Sequence, residues 1–249
     1  MDTTTLAGLC AAVVVGACLH RVAGLGLGMV VAPVLTLVMG PVAGVTVSNG
    51  AAIVTSLLVL GAMHAHVDWG RFARLVPLIV AGSLVGALAV REVDPAWLDV
   101  LVGGSVLVAL TATLTLSRLR AGVDGPVKGV SVGLAAGFMN TTCGVGGPAL
   151  TAYALATGWD HRRFAATLQP ILITANLTSL VTKALVGAAP APGVLPWWVW
   201  PVAAAGVCVG VGLGTLLARV VSVRVAAGLT VVVASTGAAA ALVRGLLAV

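Results

Sequence analysis

The 249-residue sequence is short of charge: only 8% of its residues are Asp, Glu, Lys or Arg. A soluble domain carries about 25% charged residues, so an ordinary water-soluble globule is excluded. Carboxylates are scarcest. All seven (Asp2, Asp68, Glu92, Asp94, Asp99, Asp124 and Asp160) fall at the ends of apolar runs or between them. A cation pathway or a carboxylate proton relay therefore lacks its usual side chains at membrane depth. Paired-carboxylate catalysis and carboxylate metal cages lack theirs as well. The four cysteines, Cys10, Cys18, Cys143 and Cys208, stand singly in apolar surroundings without a Cys-x-x-Cys pair, which gives neither a disulfide framework nor a zinc site. The four histidines make no metal set. His64 and His66, two residues apart, would not share a helical face, and His20 reads as structural, with a proton relay beside Arg21 as the alternative. Neither a Gly-x-Ser-x-Gly elbow nor a His-Glu-x-x-His pair is present, so intramembrane hydrolysis is unsupported. No enzyme activity, cofactor or metal is expected.

What the chain has instead is apolar length. Hydrophobic residues make up 60% and the mean hydropathy is +1.16. Stretches able to span a bilayer, about 20 residues each, fill nearly the whole sequence, which predicts an all-α integral membrane protein whose function lies within the membrane. The net charge of +6 comes from basic residues scattered singly at the ends of apolar runs, the mark of cytoplasmic loops rather than of a nucleic-acid partner. Asp2 is the only charge before Arg21 and Leu9 precedes Cys10, so neither a cleaved secretory signal nor a lipoprotein site is expected.

Two glycine stretches, Gly24-Leu25-Gly26-Leu27-Gly28 and Gly144-Val145-Gly146-Gly147-Pro148, interrupt runs that would otherwise be plain helices. The first separates residues 5–22 from a short run, Met29–Met39, that stops at Gly40-Pro41. Eleven residues of helix cover only about 17 Å, half a bilayer. Spans are expected at Val42–Ala65, Phe72–Val90 and Trp97–Leu116, with Trp69 and Trp97 at interfaces. The second half repeats the plan: Val127–Met139, a break over Asn140–Pro148, a short run Ala149–Thr157, then Phe164–Gly187, Trp197–Leu217 and Val225–Leu247. A shift of 120 residues lays Gly24 on Gly144 and Gly26 on Gly146. Two repeated halves are therefore predicted, residues 1–120 and 127–249, joined by a linker at 121–126, and internal repeats are how many transporters are built.

Charge distribution bears on the shape of the breaks. If each broken element crosses fully, six basic residues (Arg71, Arg74, Arg118, Arg120, Lys128, Arg244) face five (Arg91, Arg162, Arg163, Arg219, Arg224). If each returns to its own side as a re-entrant hairpin, Arg71, Arg74, Arg118, Arg120, Lys128, Arg162, Arg163, Arg219 and Arg224 share one side, leaving Arg91 and Arg244 opposite. The second division obeys the positive-inside expectation. It makes the halves inverted repeats, each a glycine-broken element plus three transmembrane helices, with both termini outside. Full crossing by the broken elements is the competing shape.

Unpaired backbone at membrane depth is tolerated only inside protein or against a water-filled cavity, so the breaks are the first candidates for a substrate site. Helix N-termini there, with Pro148 at a favoured first-turn position, suit an anion. Glycines Gly26, Gly28, Gly144, Gly146 and Gly147 would let backbone approach it closely; close helix packing is the alternative use of such glycines. Arg21 and Lys183 are the basic residues expected below the interface, where a cation costs about 2.5–3.5 kcal/mol on insertion scales; both are also placed to snorkel. Asn140, Thr141 and Cys143 adjoin the second break, and Gln169, Asn176 and Lys183, spaced by seven, share a face that Asn49 and Ser56 repeat in the first half. Interhelical hydrogen bonding is the plain reading of Asn49 and Asn176.

The order of these motifs resembles the sulfite exporter TauE/SafE type permeases. The resemblance rests on Gly24–Gly28 followed by Pro33-Val34-Leu35, on Val67-Asp68-Trp69, and on Gly144–Pro148 followed by Phe164-Ala165-Ala166-Thr167-Leu168 and Asn176. It covers essentially the whole chain; Leu27 departs from a first stretch usually richer in glycine. It implies a bacterial inner-membrane carrier of small anions such as sulfite, thiosulfate, sulfonates or related organic acids. An anion channel and a non-transporting membrane subunit are the alternatives, and homo-oligomerisation is left open.

Overall fold

The computed structural model describes residues 3–23, 27–116 and 126–249, the side chains of 113–129 excepted. Among the described residues there is no strand. The helices are α1 (Thr3–Ala23), α2 (Leu27–Met39), α3 (Pro41–Met63), α4 (Trp69–Glu92), α5 (Pro95–Leu116), α6 (Pro126–Cys143), α7 (Gly147–Ala156), α8 (His161–Leu185), α9 (Val199–Leu217) and α10 (Val223–Ala248). A 3-10 turn at His64–His66 links α3 to α4. Among the described residues, α1, α3, α4, α5, α8, α9 and α10 are long and apolar enough to cross a membrane. Gly24, Gly26 and most of the expected linker lie outside the described residues.

Helix starts follow local chemistry. Asp68 and Asp160 accept from the backbone N–H groups of Arg71 and Arg163, at 3.0 and 2.9 Å, and so cap α4 and α8. Proline opens α3 and α5, where its missing N–H costs nothing. The second break is narrower than the sequence predicts. Asn140–Cys143 stay in α6, because Thr142 bonds back to the Phe138 carbonyl at 2.9 Å and the Gly144 N–H reaches the Asn140 carbonyl at 3.0 Å. Only Gly144–Gly146 leave the helix, through a Gly144 φ of +72° that a side chain would resist.

Small residues set the packing, as expected where lipid gives helices no hydrophobic reason to associate. Gly206, Gly210 and Gly214 of α9 face Val13, Ala17 and Arg21 of α1, and Gly82 and Gly86 of α4 face Leu134 and Phe138 of α6. Helix α2 folds back on α1, with Gly8 against Val38 and Gly16 against Val31. Helix α7 likewise folds back on α6: Leu150 and Ala154 share a buried cluster with Ala136. Several of the main helix pairs match, although α2 packs far more extensively on α3 than α7 does on α8. The α1–α9 and α4–α6 pairs correspond when α1–α5 are exchanged in order with α6–α10, while α3–α8 and α5–α10 each map onto themselves.

One ion pair was invisible in the sequence. Arg244, read there as a terminal charge, lies within α10, which runs on to Ala248. It holds both oxygens of buried Asp99 on α5 at 2.8 Å, and donates to the Thr36 and Leu37 carbonyls of α2 at 2.8 and 3.0 Å. Those carbonyls belong to the last turn of α2, where the Thr36 carbonyl also accepts from the Gly40 N–H at 3.0 Å. Arg244 thus serves as a C-terminal cap and a cross-brace at once.

Candidate functional site

The antiparallel pair α3–α8 carries a buried polar seam against the end of α6. Asn49 of α3 donates through Nδ2 to Ser179 Oγ of α8 at 2.8 Å and lies 3.5 Å from the Asn140 carbonyl. Asn140 Nδ2 in turn donates to Asn176 Oδ1 at 3.0 Å. Three helices are joined by this chain of amides. Such bonds are the plain interhelical role foreseen for Asn49 and Asn176, yet they use only part of the available capacity: Asn49 Oδ1 has no partner among the described residues.

Both breaks reach the seam. A Cβ on Gly28, in the first turn of α2, would strike the Gly144 carbonyl oxygen and come within 4.0 Å of Ser48 Oγ. One on Gly144 would lie 3.1 Å from Ala32 Cβ and 3.5 Å from Asn49 Oδ1. The start of α2 and the turn before α7 are therefore in direct contact beside Asn49. Gly146 is tight against Ala136 and Asn140, whereas Gly147 opens onto free space. Helix α7 starts with Pro148 in its first turn and no side-chain cap, so its leading N–H groups are served by no protein side chain.

Lys183 is the group hardest to explain by packing. Four residues beyond Ser179 on the same face of α8, it is only 1% exposed, and its Nζ has no hydrogen-bond partner among the described residues. It is within electrostatic reach of the buried Cys143 thiol, which itself lies 3.1 Å from Thr142 Oγ1 and 3.4 Å from the Leu101 carbonyl of α5. The side chain thus turns inward rather than snorkelling. A buried ammonium without an acceptor is costly, and Ser48 Oγ, also buried and unpartnered, lies at the neighbouring break.

Other residues singled out by the sequence sit elsewhere. Arg21 is exposed at the end of α1 and donates to Thr215 Oγ1 of α9 at 3.1 Å. Thr141 is fully buried, but its side chain faces Gly86 on α4. Thus Gly28, Asn49, Asn140, Cys143, Gly144, Gly146, Asn176 and Lys183 are gathered near the meeting of the breaks, while Arg21 and Thr141 point to neighbouring helices. Ser48 and Ser179 were not among the predicted contacts, although Ser179 shares the stripe of Asn176; Ser48 carries no sequence signal beyond adjoining Asn49.

Residues 8–242 match the family model described as Sulfite exporter TauE/SafE. The chain belongs to the TauE/SafE sulfite exporter family. No curated protein and no solved structure matches it. As a TauE/SafE permease with seven membrane-length helices among its described residues, it is a multi-pass membrane transporter acting on a small molecule. The resemblance drawn from the glycine stretches and the Val67-Asp68-Trp69 segment is borne out over nearly the full length.

Proposed function

We propose that this TauE/SafE protein is a secondary carrier for a small anion, a sulfur-containing oxyanion or organosulfonate such as sulfite. The anion binds where the two breaks meet and moves by alternating access. The observation that carries this reading is the buried Lys183, whose Nζ has no hydrogen-bond partner among the described residues, on the same face as an incompletely satisfied amide seam. An anion would supply the missing acceptor for Lys183. Asn140 and Asn176 amide groups and the uncapped start of α7 would bind it as hydrogen-bond donors, and Ser48 would do so through its hydroxyl proton.

Each broken element is then a re-entrant hairpin, an interpretation supported by α2 running back along α1 and α7 along α6. The halves, residues 1–120 and 127–249, are inverted repeats, as the matching helix pairs also suggest. The side bearing Arg71, Arg74, Arg162 and Arg163 faces the cytoplasm of a bacterial inner membrane, and both termini lie outside.

The test is a thermal-shift panel of sulfite, thiosulfate, sulfonates and small carboxylates on purified protein, followed by flux of the best ligand in proteoliposomes. A ligand specific to the folded state raises its apparent stability, and saturable flux is expected for a carrier. Stabilisation by none of these anions, or current that never saturates, would refute the proposal.

A further inference from the structure

Two surface cavities flank the α3–α8 pair at opposite ends. The first, about 290 Å³, lies between the 186–198 connection leaving α8 and the start of α3, and is lined by Thr46, Leu180, Ala191 and Trp200. The second, about 350 Å³, lies between the connection leaving α3 and the start of α8, and is lined by Ala65, His66, Asp68, Trp69 and Arg163. Exchange of α3 with α8 turns one description into the other.

Each cavity ends at a specific closing contact. Thr46 lies one turn before Gly50, and Leu180 follows Ser179, which accepts from Asn49. Trp200, which lines that cavity, packs on Gly50, the residue after Asn49: a Cβ there would overlap the indole ring. At the other end, the Asp68 N–H donates to Thr167 Oγ1 at 2.8 Å, tying the connection to α8. Asn49 and Asn176, between the two cavities along α3 and α8, and Lys183, three residues beyond Leu180, are all at most 2% exposed. Toward the two cavities the seam is thus flanked by one bulky ring, packed between α9 and α3, and by one hydrogen bond, between the residue capping α4 and α8.

From this paired geometry we infer that the two cavities are the outer and inner mouths of one anion path, gated by Trp200 on Gly50 and by Asp68 on Thr167. The inference rests on the carrier reading above. The mouths differ in chemistry. The inner one presents the Arg163 guanidinium beside His66, and its one lining carboxylate, Asp68, is engaged by Arg71, so it can hold a small anion by charge; the outer one has no charged lining residue and must select by size and shape.

The experiment replaces Cys10, Cys18 and Cys208 by Ser, retains buried Cys143, and introduces Ala191→Cys or Ala65→Cys. Each variant is reconstituted in proteoliposomes of known orientation. The membrane-impermeant, anionic 2-sulfonatoethyl methanethiosulfonate is then added to one face at a time, and sulfite flux is compared with that of the same variant left unlabelled. Cysteine at 191 is expected to react only from the face of Glu92 and Asp94, and cysteine at 65 only from the opposite face. Either modification should lower flux about tenfold or more, while Trp200→Ala speeds reaction of the outer side with a thiol introduced at Thr46. Full flux after complete labelling, or reaction of both positions from one face, overturns the two-mouth path alone. Absence of sulfite flux and of any sulfite-induced thermal shift in the unlabelled protein overturns the carrier reading for sulfite, and this inference with it.

Discussion

The two broken elements follow one plan but are held very differently. In α2, eight of 13 residues are buried, including Val31, Ala32, Pro33 and Leu35, and its final carbonyls are clamped by Arg244. In α7 only Leu150 and Ala154 of ten residues are buried, and Gly147 faces open space. The end of the second element is held by an aromatic set instead: Trp159 stacks near Phe164, with the Arg71 guanidinium 4.4 Å from its ring centre. The first element is built as an anchor, the second as a lightly packed arm. A shared plan fixes where a helix breaks, while the side chains around it decide how firmly the break is held.

Helices α3 and α8, which follow the two broken elements, also differ in charge. At the 120-residue offset, Asn49 and Ser56 correspond to Gln169 and Asn176, but Lys183 corresponds to Met63. Lys183→Met would remove that difference and should have the largest effect on transport, a loss of about tenfold or more, as expected for one charge-assisted hydrogen bond worth about 1.5–3 kcal/mol. Its thermal stability should hold or rise, because an unpaired buried ammonium is removed. Wild-type flux from this variant would show that the charge asymmetry has no part in transport.

The anchoring contrast is open to a stability comparison. Arg244→Gln strands the buried Asp99 carboxylate and uncaps α2; the expected cost is about 2 kcal/mol, below the value for a fully buried pair because the Arg244 side chain is 38% exposed. Arg71→Gln, at the corresponding end of the other element, should cost only about 0.5–1 kcal/mol. Equal losses in thermal unfolding would erase the distinction between anchor and arm.

Glycine substitutions sharpen it further. Gly28→Ala drives a methyl group into the Gly144 carbonyl, and Gly144→Ala adds both a contact with Ala32 and strain at positive φ. Each should destabilise by about 1–3 kcal/mol. Gly147→Ala, with nothing within 4 Å, should stay within about 0.5 kcal/mol of wild type, so its effect on anion binding can be measured without a folding defect.

The spans were legible because hydrophobic runs and capping residues act locally. The breaks were legible because glycine and proline disturb a ladder wherever it stands. Asn49 and Asn176 announced themselves as amides on apolar helices, which must find partners in the bundle. What escaped was partnership across helices. Arg244 and Asp99 look like interfacial charges until α5 and α10 are laid side by side, and Arg21 looks like an anion ligand until Thr215 of α9 is found beside it. The second break was drawn too wide because Asn140–Cys143 read as polar loop residues, whereas Thr142 satisfies its hydroxyl on its own helix. Such pairings depend on the angle at which a side chain leaves its helix, and no local spacing encodes that.

The contact between Gly28 and Gly144 carries a consequence for how this sequence can change. Any side chain at position 28 would occupy the space of the Gly144 carbonyl oxygen, so position 28 is held to glycine for as long as the backbone at 144 keeps its path. A backbone turn in the second element thereby fixes the residue at a distant position in the first. At the 120-residue offset Gly28 corresponds to Pro148 and Gly144 to Gly24, so the contact joins two different positions of the plan and holds only one member of each pair.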